Sequence, residues 1–344
     1  MSATLELGLD TFGDMTLDQS GNRLSYAQVL RNIVDEAVLA DETGVDFIGL
    51  GEHHRDDFAI SAPDVVLATI AGRTKRILLG SAVTVLSSDD PIRVFQRFST
   101  LDALSGGRAE VILGRGSFTE SFPLFGFNLR DYDVLFAEKL QLFAELLKQE
   151  PVTWEGQTRA PLRDQRVFPP VEGDRQLKTW IGVGGTPESV VRAASYGLPL
   201  MIAIIGGEPK RFAAHVDLYH RALGQFEKPI LPVGVHSHGY IAETDEKARE
   251  ELFPDYKAMR DRIGRERGWP PMTRDDFEQE IQFGSLYCGA PETVAAKIAG
   301  TIEALKAQRF DMKYSAGTLS HDRMMRCIEL YGTKVIPMVR DMVS

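Results

Sequence analysis

Short apolar, β-branched runs alternate with stretches of 3.6-residue apolar period along almost the whole chain. Eight runs read as strands: residues 5–10, 47–51, 77–83, 109–114, 179–184, 200–205, 231–242 and 309–315. Helical periodicity covers 26–43, 64–73, 92–104, 132–148, 188–196, 209–223, 292–306 and 322–340. In the first of these, Val29, Ile33, Ala37 and Ala40 share a face, and Gly44 ends the pattern. Strand–helix alternation implies a parallel sheet, and eight is the number of strands that closes a barrel. The expected fold class is therefore α/β, a (β/α)8 TIM barrel with loop insertions. A doubly wound open sheet is the alternative that the same alternation permits.

Two segments break the rhythm. Residues 151–178 carry Pro151, Pro161, Pro169 and Pro170 among mixed polar residues, and residues 243–284 are charged and partly helical around Trp269-Pro270-Pro271. Prolines interrupt regular elements and barrels tolerate long loops, so both are expected as insertions in a single domain over residues 1–344. No internal repeat or low-complexity tract marks a linker.

Composition narrows the class. A hydrophobic fraction of 43% is enough for a full core. The net charge of −10 argues against nucleic acid and against an anionic membrane surface as partners. No apolar run reaches the ~18–20 residues of a spanning helix. Residues 1–6 show no basic region and no long apolar core, so no secretory signal is expected and the chain is expected in the cytoplasm. Cys288 and Cys327 suggest neither a disulfide framework nor a zinc site, and no metal is expected.

Candidate chemistry collects where the strands end. The second strand runs out into Glu52-His53-His54. Titratable groups at the carboxyl end of a buried strand belong to the active face of an α/β barrel, and an imidazole can give or take a proton near neutrality. Side chains alternate along an extended chain, so one histidine is expected to face a ligand while the other packs. Both can equally be loop histidines tied down by Glu52 and Arg55. Further on, a strand passes through Gly184 and Gly185 into a helix start, with Thr186 as N-cap and Pro187 at the first helical position. Glycines let the backbone approach an anion, free amides and the helix dipole hold it, and the hydroxyls of Thr186 and Ser189 add donors. Proline also opens helices at Pro63, Pro91 and Pro291, so a plain cap is the competing reading. Arg115, between Gly114 and Gly116, has room to fold over an anion, or is a surface arginine in a turn. The small residues Gly80, Ser81 and Ala82 leave space for a flat ring, and they also suit a tapered barrel interior. His236 and His238 share a strand face and could reach one metal with a third ligand from elsewhere. Packed or substrate-contacting histidines are the other reading.

Taken in order, these segments resemble the bacterial luciferase-like family of flavin-dependent monooxygenases over nearly the whole length. The resemblance is carried by Glu52-His53-His54, residues 77–86, Asp90-Pro91-Ile92-Arg93, residues 101–108 (LDALSGGR), Gly114-Arg115-Gly116, residues 184–189 (GGTPES) and Tyr196-Gly197-Leu198-Pro199. It implies a (β/α)8 barrel that takes reduced FMN as a diffusible substrate from a separate flavin reductase. Dioxygen then forms a flavin C4a-hydroperoxide, which oxygenates a small organic substrate. It places catalytic His53 beside the flavin, and the flavin phosphate at Gly185, Thr186, Ser189 and Arg115. A non-proline cis peptide at Ala82-Val83 would bulge against the ring, and Glu52 and Gly184 complete the cofactor-binding set. Homo-oligomers are common in the family. Where luciferase has a reactive cysteine this chain has Gly114, so light emission is not implied. Asp133 falls where a second phosphate-binding arginine is found, which leaves the phosphate either less compensated or compensated by Arg130. A lid from residues 243–284 would exclude water, and Phe12, Phe118 and Phe122 would line an apolar pocket. Hydride transfer with the deazaflavin F420, a flavin-binding protein without turnover, and a metal-dependent hydrolase built on His236 and His238 are the alternatives.

Overall fold

Eight parallel strands close on themselves in the computed structural model, which describes residues 5–18 and 20–343; residues 1–4, read above for a signal segment, lie outside these. The barrel strands are β1 (Glu6–Thr11), β2 (Phe47–Leu50), β3 (Leu78–Val85), β4 (Ala109–Gly114), β5 (Lys178–Val183), β6 (Leu200–Ala203), β7 (Val233–Ile241) and β8 (Arg309–Lys313). Each pairs with its successor, and β8 returns to β1 in a register running from Glu6↔Arg309 to Asp10↔Lys313. Closure rules out the doubly wound sheet, because an open sheet would leave two of these strands paired on one side only.

Local chemistry sets the surrounding helices. The Ser25 hydroxyl caps Tyr26–Thr43 by accepting from the Gln28 amide, and Gly44, at φ 91°, ends it in the left-handed conformation that glycine adopts without strain. Asp90 caps Pro91–Ser105 by accepting from the amides of Ile92 and Arg93. The apolar faces of these helices pack against the outward side chains of the strands to form the main core.

Inside the barrel the layers differ in kind. At the closed end, Arg309 is fully buried. Its Nε donates to both oxygens of Asp311 at 2.9 and 3.0 Å, and its Nη1 reaches Glu110 and Glu6. Lys178 adds ion pairs to Glu6 at 2.7 Å and to Glu110 at 3.0 Å. The Phe47 ring lies 3.6 Å from the guanidinium, and Phe47, Ile112, Trp180 and Met201 form an apolar layer above this charged base.

The irregular segments hold more order than their composition suggests. Residues 151–178 include an antiparallel pair, Val152–Trp154 with Leu162–Gln165, anchored by the buried side chains of Val152 and Trp154. Each strand is too short to display a period. Residues 243–284 hold two helices, Asp245–Arg267 and Arg274–Gln282, and beyond them Tyr287–Gly289 adds a short strand parallel to β7. The helix expected over 322–340 is instead His321–Leu330, a π turn at Tyr331–Val335, and Ile336–Val343. Gly332 sits in that turn because a Cβ there would lie 2.4 Å from Thr43 Oγ1, where the first helix ends. No helix among the described residues is long and apolar enough to cross a membrane.

Replacing Arg309 by Ala leaves Glu110 and Asp311 buried without their counter-ion. We expect a loss of about 3–5 kcal/mol in urea unfolding. A loss below about 1 kcal/mol would show that this cluster does not hold the barrel base.

Candidate active site

The carboxyl ends of the strands open into one cavity of about 640 Å³. Its walls come from the ends of β1 to β8 and its roof from the Asp245–Arg267 helix, which lowers Tyr256, Met259, Arg260, Ile263 and Arg267 toward the mouth, followed by Trp269. This is the face on which α/β barrels place their chemistry, because the loops there vary without disturbing the sheet.

Glu52, His53 and His54 all line the cavity, but they are held differently. Glu52 is buried; its Oε2 accepts from the Val85 amide at 2.9 Å and its Oε1 from His54 Nε2 at 2.9 Å. These bonds tie the end of β2 to the end of β3. His53 sits among aromatic rings, 4.5 Å from Phe12, 4.5 Å from Phe58 and 5.2 Å from Phe118. Burial there, reinforced by the charge of Lys313, pushes its pKa down to about 3. His53 is therefore a neutral imidazole at working pH. Phe122, expected in the same pocket, instead stacks on Tyr132 at 5.5 Å, and Phe58 takes its place in the lining.

The wall formed by β3, β4 and β5 is small and apolar. The Ala82–Val83 peptide is cis, and the β3–β4 register shifts between Ala82 and Thr84. Cβ atoms at Gly114 and Gly182 would lie 2.6 and 2.9 Å from the Val83 side chain. Val83 thus occupies the space that a cysteine at position 114 would need.

At one end of this wall lies a cluster of donors. Gly184, Ser189 and Arg115 line the cavity, while Gly185 and Thr186 sit just behind them. Thr186 is the N-cap of Pro187–Tyr196 without a side-chain cap bond, and its hydroxyl donates instead to Ser189 Oγ at 2.8 Å. Arg115 donates to Ser189 Oγ at 3.4 Å and to Asp133 at 2.9 Å. Gly185 has φ 103°, and its carbonyl accepts from His215 Nε2 at 2.6 Å. The residues therefore fit an anion: the Arg115 guanidinium and the Ser189 hydroxyl, steadied by Thr186, meet in the cavity at the positive end of a helix dipole. Asp133 does more than omit a positive charge, since it engages Arg115 directly. Arg130, the substitute considered from sequence, is not part of the cavity lining.

On the opposite wall sequence reasoning singled out His236 and His238 but missed Asp10, Asp311 and Lys313. There β7, β8 and β1 present His236, His238, Asp311, Lys313 and Asp10. His236 Nδ1 donates to Asp10 Oδ2 at 2.6 Å. Burial works against protonation of His236, but the charge and hydrogen bond of Asp10 outweigh it and raise its pKa. His238, half-buried and facing Lys313 and His236, is held well below the ordinary value by desolvation and by those neighbours. Burial lifts Asp311 to about 7 despite Arg309. Among the described residues no group of three or more His, Cys, Asp or Glu side chains is arranged to hold a metal. The signal was present: charged residues inside the first and last apolar runs are as anomalous as Glu52 after the second.

The roof is tied down by ion pairs. Arg55, after β2, donates to Asp57 at 3.0 Å and Glu266 at 2.9 Å and also engages Glu120. Arg262 reaches Asp57 at 3.1 Å, and Arg267 donates to the Ser117 carbonyl at 3.2 Å.

Residues 11–308 match the luciferase-like monooxygenase family, and the chain belongs to it. It is 26% identical over 252 residues to the alkanal monooxygenase alpha chain of Photorhabdus luminescens, covering 70% of this chain and 66% of that one. Among solved structures, it is similar to the oxygenating constituent of 3,6-diketocamphane monooxygenase from a Pseudomonas putida plasmid, a type II Baeyer–Villiger monooxygenase in complex with FMN. That similarity has TM-score 0.77 and 19% identity over 97% of this chain and 98% of the other. An F420-dependent secondary alcohol dehydrogenase in complex with an F420–acetone adduct is similar at TM-score 0.74 and 17% identity, over 98% of this chain and 100% of the other.

The histidines separate by protonation. Ring-nitrogen NMR is expected to show His53 and His238 neutral from about pH 8 to about pH 5, while His236 titrates above the ordinary imidazole value. A His53 that protonates near the model-peptide value of about 6.5 would contradict its enclosure by the three phenylalanines.

Proposed function

We propose that this protein is a monooxygenase that uses reduced FMN to oxygenate a small organic substrate. One observation carries the reading: Arg115, Ser189 and Thr186 meet at the start of the Pro187–Tyr196 helix, beside a cavity that also holds the neutral His53 among phenylalanines. A phosphate fits the helix start and a flat ring fits the small wall of Ala82 and Val83, with Gly184 and Gly185 giving the phosphate close backbone approach. Bound there, reduced FMN supplies the electrons that divide dioxygen between substrate and water.

The chain's own residues do the rest. Glu52 holds the ends of β2 and β3 together, so the wall beside the ring keeps its shape. His53, being neutral, can offer one nitrogen as donor and one as acceptor without bringing a charge beside the ring. The roof residues Tyr256, Met259 and Trp269 exclude water, which protects an oxygenating site from wasteful discharge. In this reading a separate reductase supplies the flavin, and the protein works as a homo-oligomer. F420 is the second reading, favoured by the fold it shares with an F420-dependent dehydrogenase. It would use the same anion site and transfer hydride without oxygen.

Anaerobic titration with reduced FMN followed by rapid mixing with oxygen tests the choice. A transient absorbance band that precedes the oxidised-flavin spectrum is expected. Tight binding of F420 with no such transient would move the protein to hydride transfer.

Arg115→Ala or Ser189→Ala is expected to weaken FMN by about 1–3 kcal/mol while leaving riboflavin almost unchanged. Equal losses for both ligands would mean that the phosphate lies elsewhere. Arg55→Ala should loosen the roof, raising hydrogen peroxide released per reduced flavin several-fold in an oxygen-electrode assay. Unchanged coupling would show that these ion pairs do not govern water entry.

A further inference from the structure

The wall formed by β7, β8 and β1 has no part in holding the phosphate or shaping the flat wall, yet it contains a buried carboxylate–imidazole pair. Asp10 is completely buried, and its Oδ2 accepts from His236 Nδ1 at 2.6 Å. Its second oxygen, Oδ1, has no hydrogen-bond partner among the described residues. An unpartnered carboxylate oxygen in a buried position is costly unless something else occupies the site. His236 is nearly as buried and lines the cavity. With Nδ1 bonded to Asp10, the nitrogen left for a ligand is Nε2. A carboxylate that fixes one imidazole nitrogen and leaves the other for a reacting group is how proteins build a directed base.

We propose that Asp10 and His236 are the acid–base pair of this cavity, and that the substrate is an aromatic phenol or a comparable enol whose hydroxyl gives its proton to His236. The inference rests on the proposed reading only in taking this cavity as the substrate site. In the step, the substrate O–H bond breaks and its proton passes to Nε2. The electron pair stays on the substrate oxygen, and the imidazolium is held by Asp10. An aliphatic alcohol yields its proton to an imidazole only in concert with further bond making, whereas phenols and enols ionise within its reach as a separate step. A phenolate ring is also richer in electrons at carbon, which suits attack on an electrophilic oxygen.

The surroundings agree with a flat, ionisable guest. Phe12 lies nearly parallel to the His236 ring, at 15° and 6.1 Å. Of the groups facing the pair, Asp311 on β8 is turned into Arg309. Lys313 spends its donors on Asp14 and Ser315, so it contributes positive field without competing for the proton. From β7, His238 stays uncharged, and from the roof Tyr256 packs against it at 5.8 Å. Across the cavity His53 is neutral as well. His236 is therefore the imidazole best placed to end the step with a positive charge.

The test uses 4-nitrophenol, a chromogenic phenol, titrated into the flavin-free full-length protein across pH, with 4-nitroanisole as the same shape lacking the proton. Bound nitrophenol is expected to ionise at least one pH unit, or tenfold, below the free compound. Asp10→Asn and His236→Gln should abolish that shift while still binding nitroanisole, which also reports that they fold, and His238→Gln should keep it. Ionisation at or above the free value, no saturable binding of nitrophenol, or an unchanged shift in His236→Gln would overturn the proposal. The wild-type titration decides by itself if both variants fail to fold. Because no flavin is present, failure here leaves the reduced-FMN reading untouched, and failure of reduced FMN to bind leaves this result untouched.

Discussion

The guanidinium of Arg309 sits where the barrel is closed, sealed by Phe47 and compensated by Glu6, Glu110 and Asp311. These residues come from β1, β4 and β8, and Lys178 brings in β5. A buried charge of this kind demands its partners, because an uncompensated ion inside costs several kcal/mol. The strands that supply the partners must therefore be in register, and that register fixes which residues arrive at the open end. On β8 the alternation runs Arg309, Asp311, Lys313: the first is in the base, the second is in both base and cavity floor, the third is in the cavity wall. Stability below and polarity above are two ends of one strand.

Above that base the cavity divides by chemistry. The β3–β5 side offers small and apolar groups and the anion cradle, while the β7–β8–β1 side offers titratable ones. His53 belongs to neither, since its ring is wrapped by phenylalanines and kept uncharged. A neutral centre between an apolar wall and a polar one can serve a ring cofactor on one side and a polar substrate on the other. The charged roof adds control of access. Arg55, whose side chain is buried, joins the loop after β2 to Glu266 of the roof helix; Arg262 adds an exposed ion pair, weak by itself, and Arg267 a hydrogen bond to the Ser117 carbonyl.

Several features follow the sequence closely. The strand runs are recognisable because strands buried on both faces are continuous apolar blocks, and each expected run coincides with a barrel strand within a few residues. Glu52-His53-His54 stood out because charged groups there interrupt such a block. Other features were hidden. The pair Val152–Trp154 and Leu162–Gln165 is too short for a period to appear. The π turn at Tyr331–Val335 depends on how closely Thr43 approaches Gly332, a contact between residues almost a whole chain apart. Asp133 looked like a missing arginine, yet it holds Arg115. His236 and His238 looked like a possible ligand pair, but Asp10 takes one of them into a hydrogen bond.

The sequence alone determined the order and kind of the elements, and with them the barrel, because hydrophobic periodicity is a local property that each segment carries in its own residues. It also determined the family, through residue types kept in order along the chain. Only the tertiary structure decided the protonation of His53, the partnership of Asp10 with His236, and the seat of Val83 beside Gly114 and Gly182. Each of these depends on burial and on distances between residues far apart in sequence. A side chain's charge and reach are set by its neighbours in space, and those exist only once the ring of strands has closed.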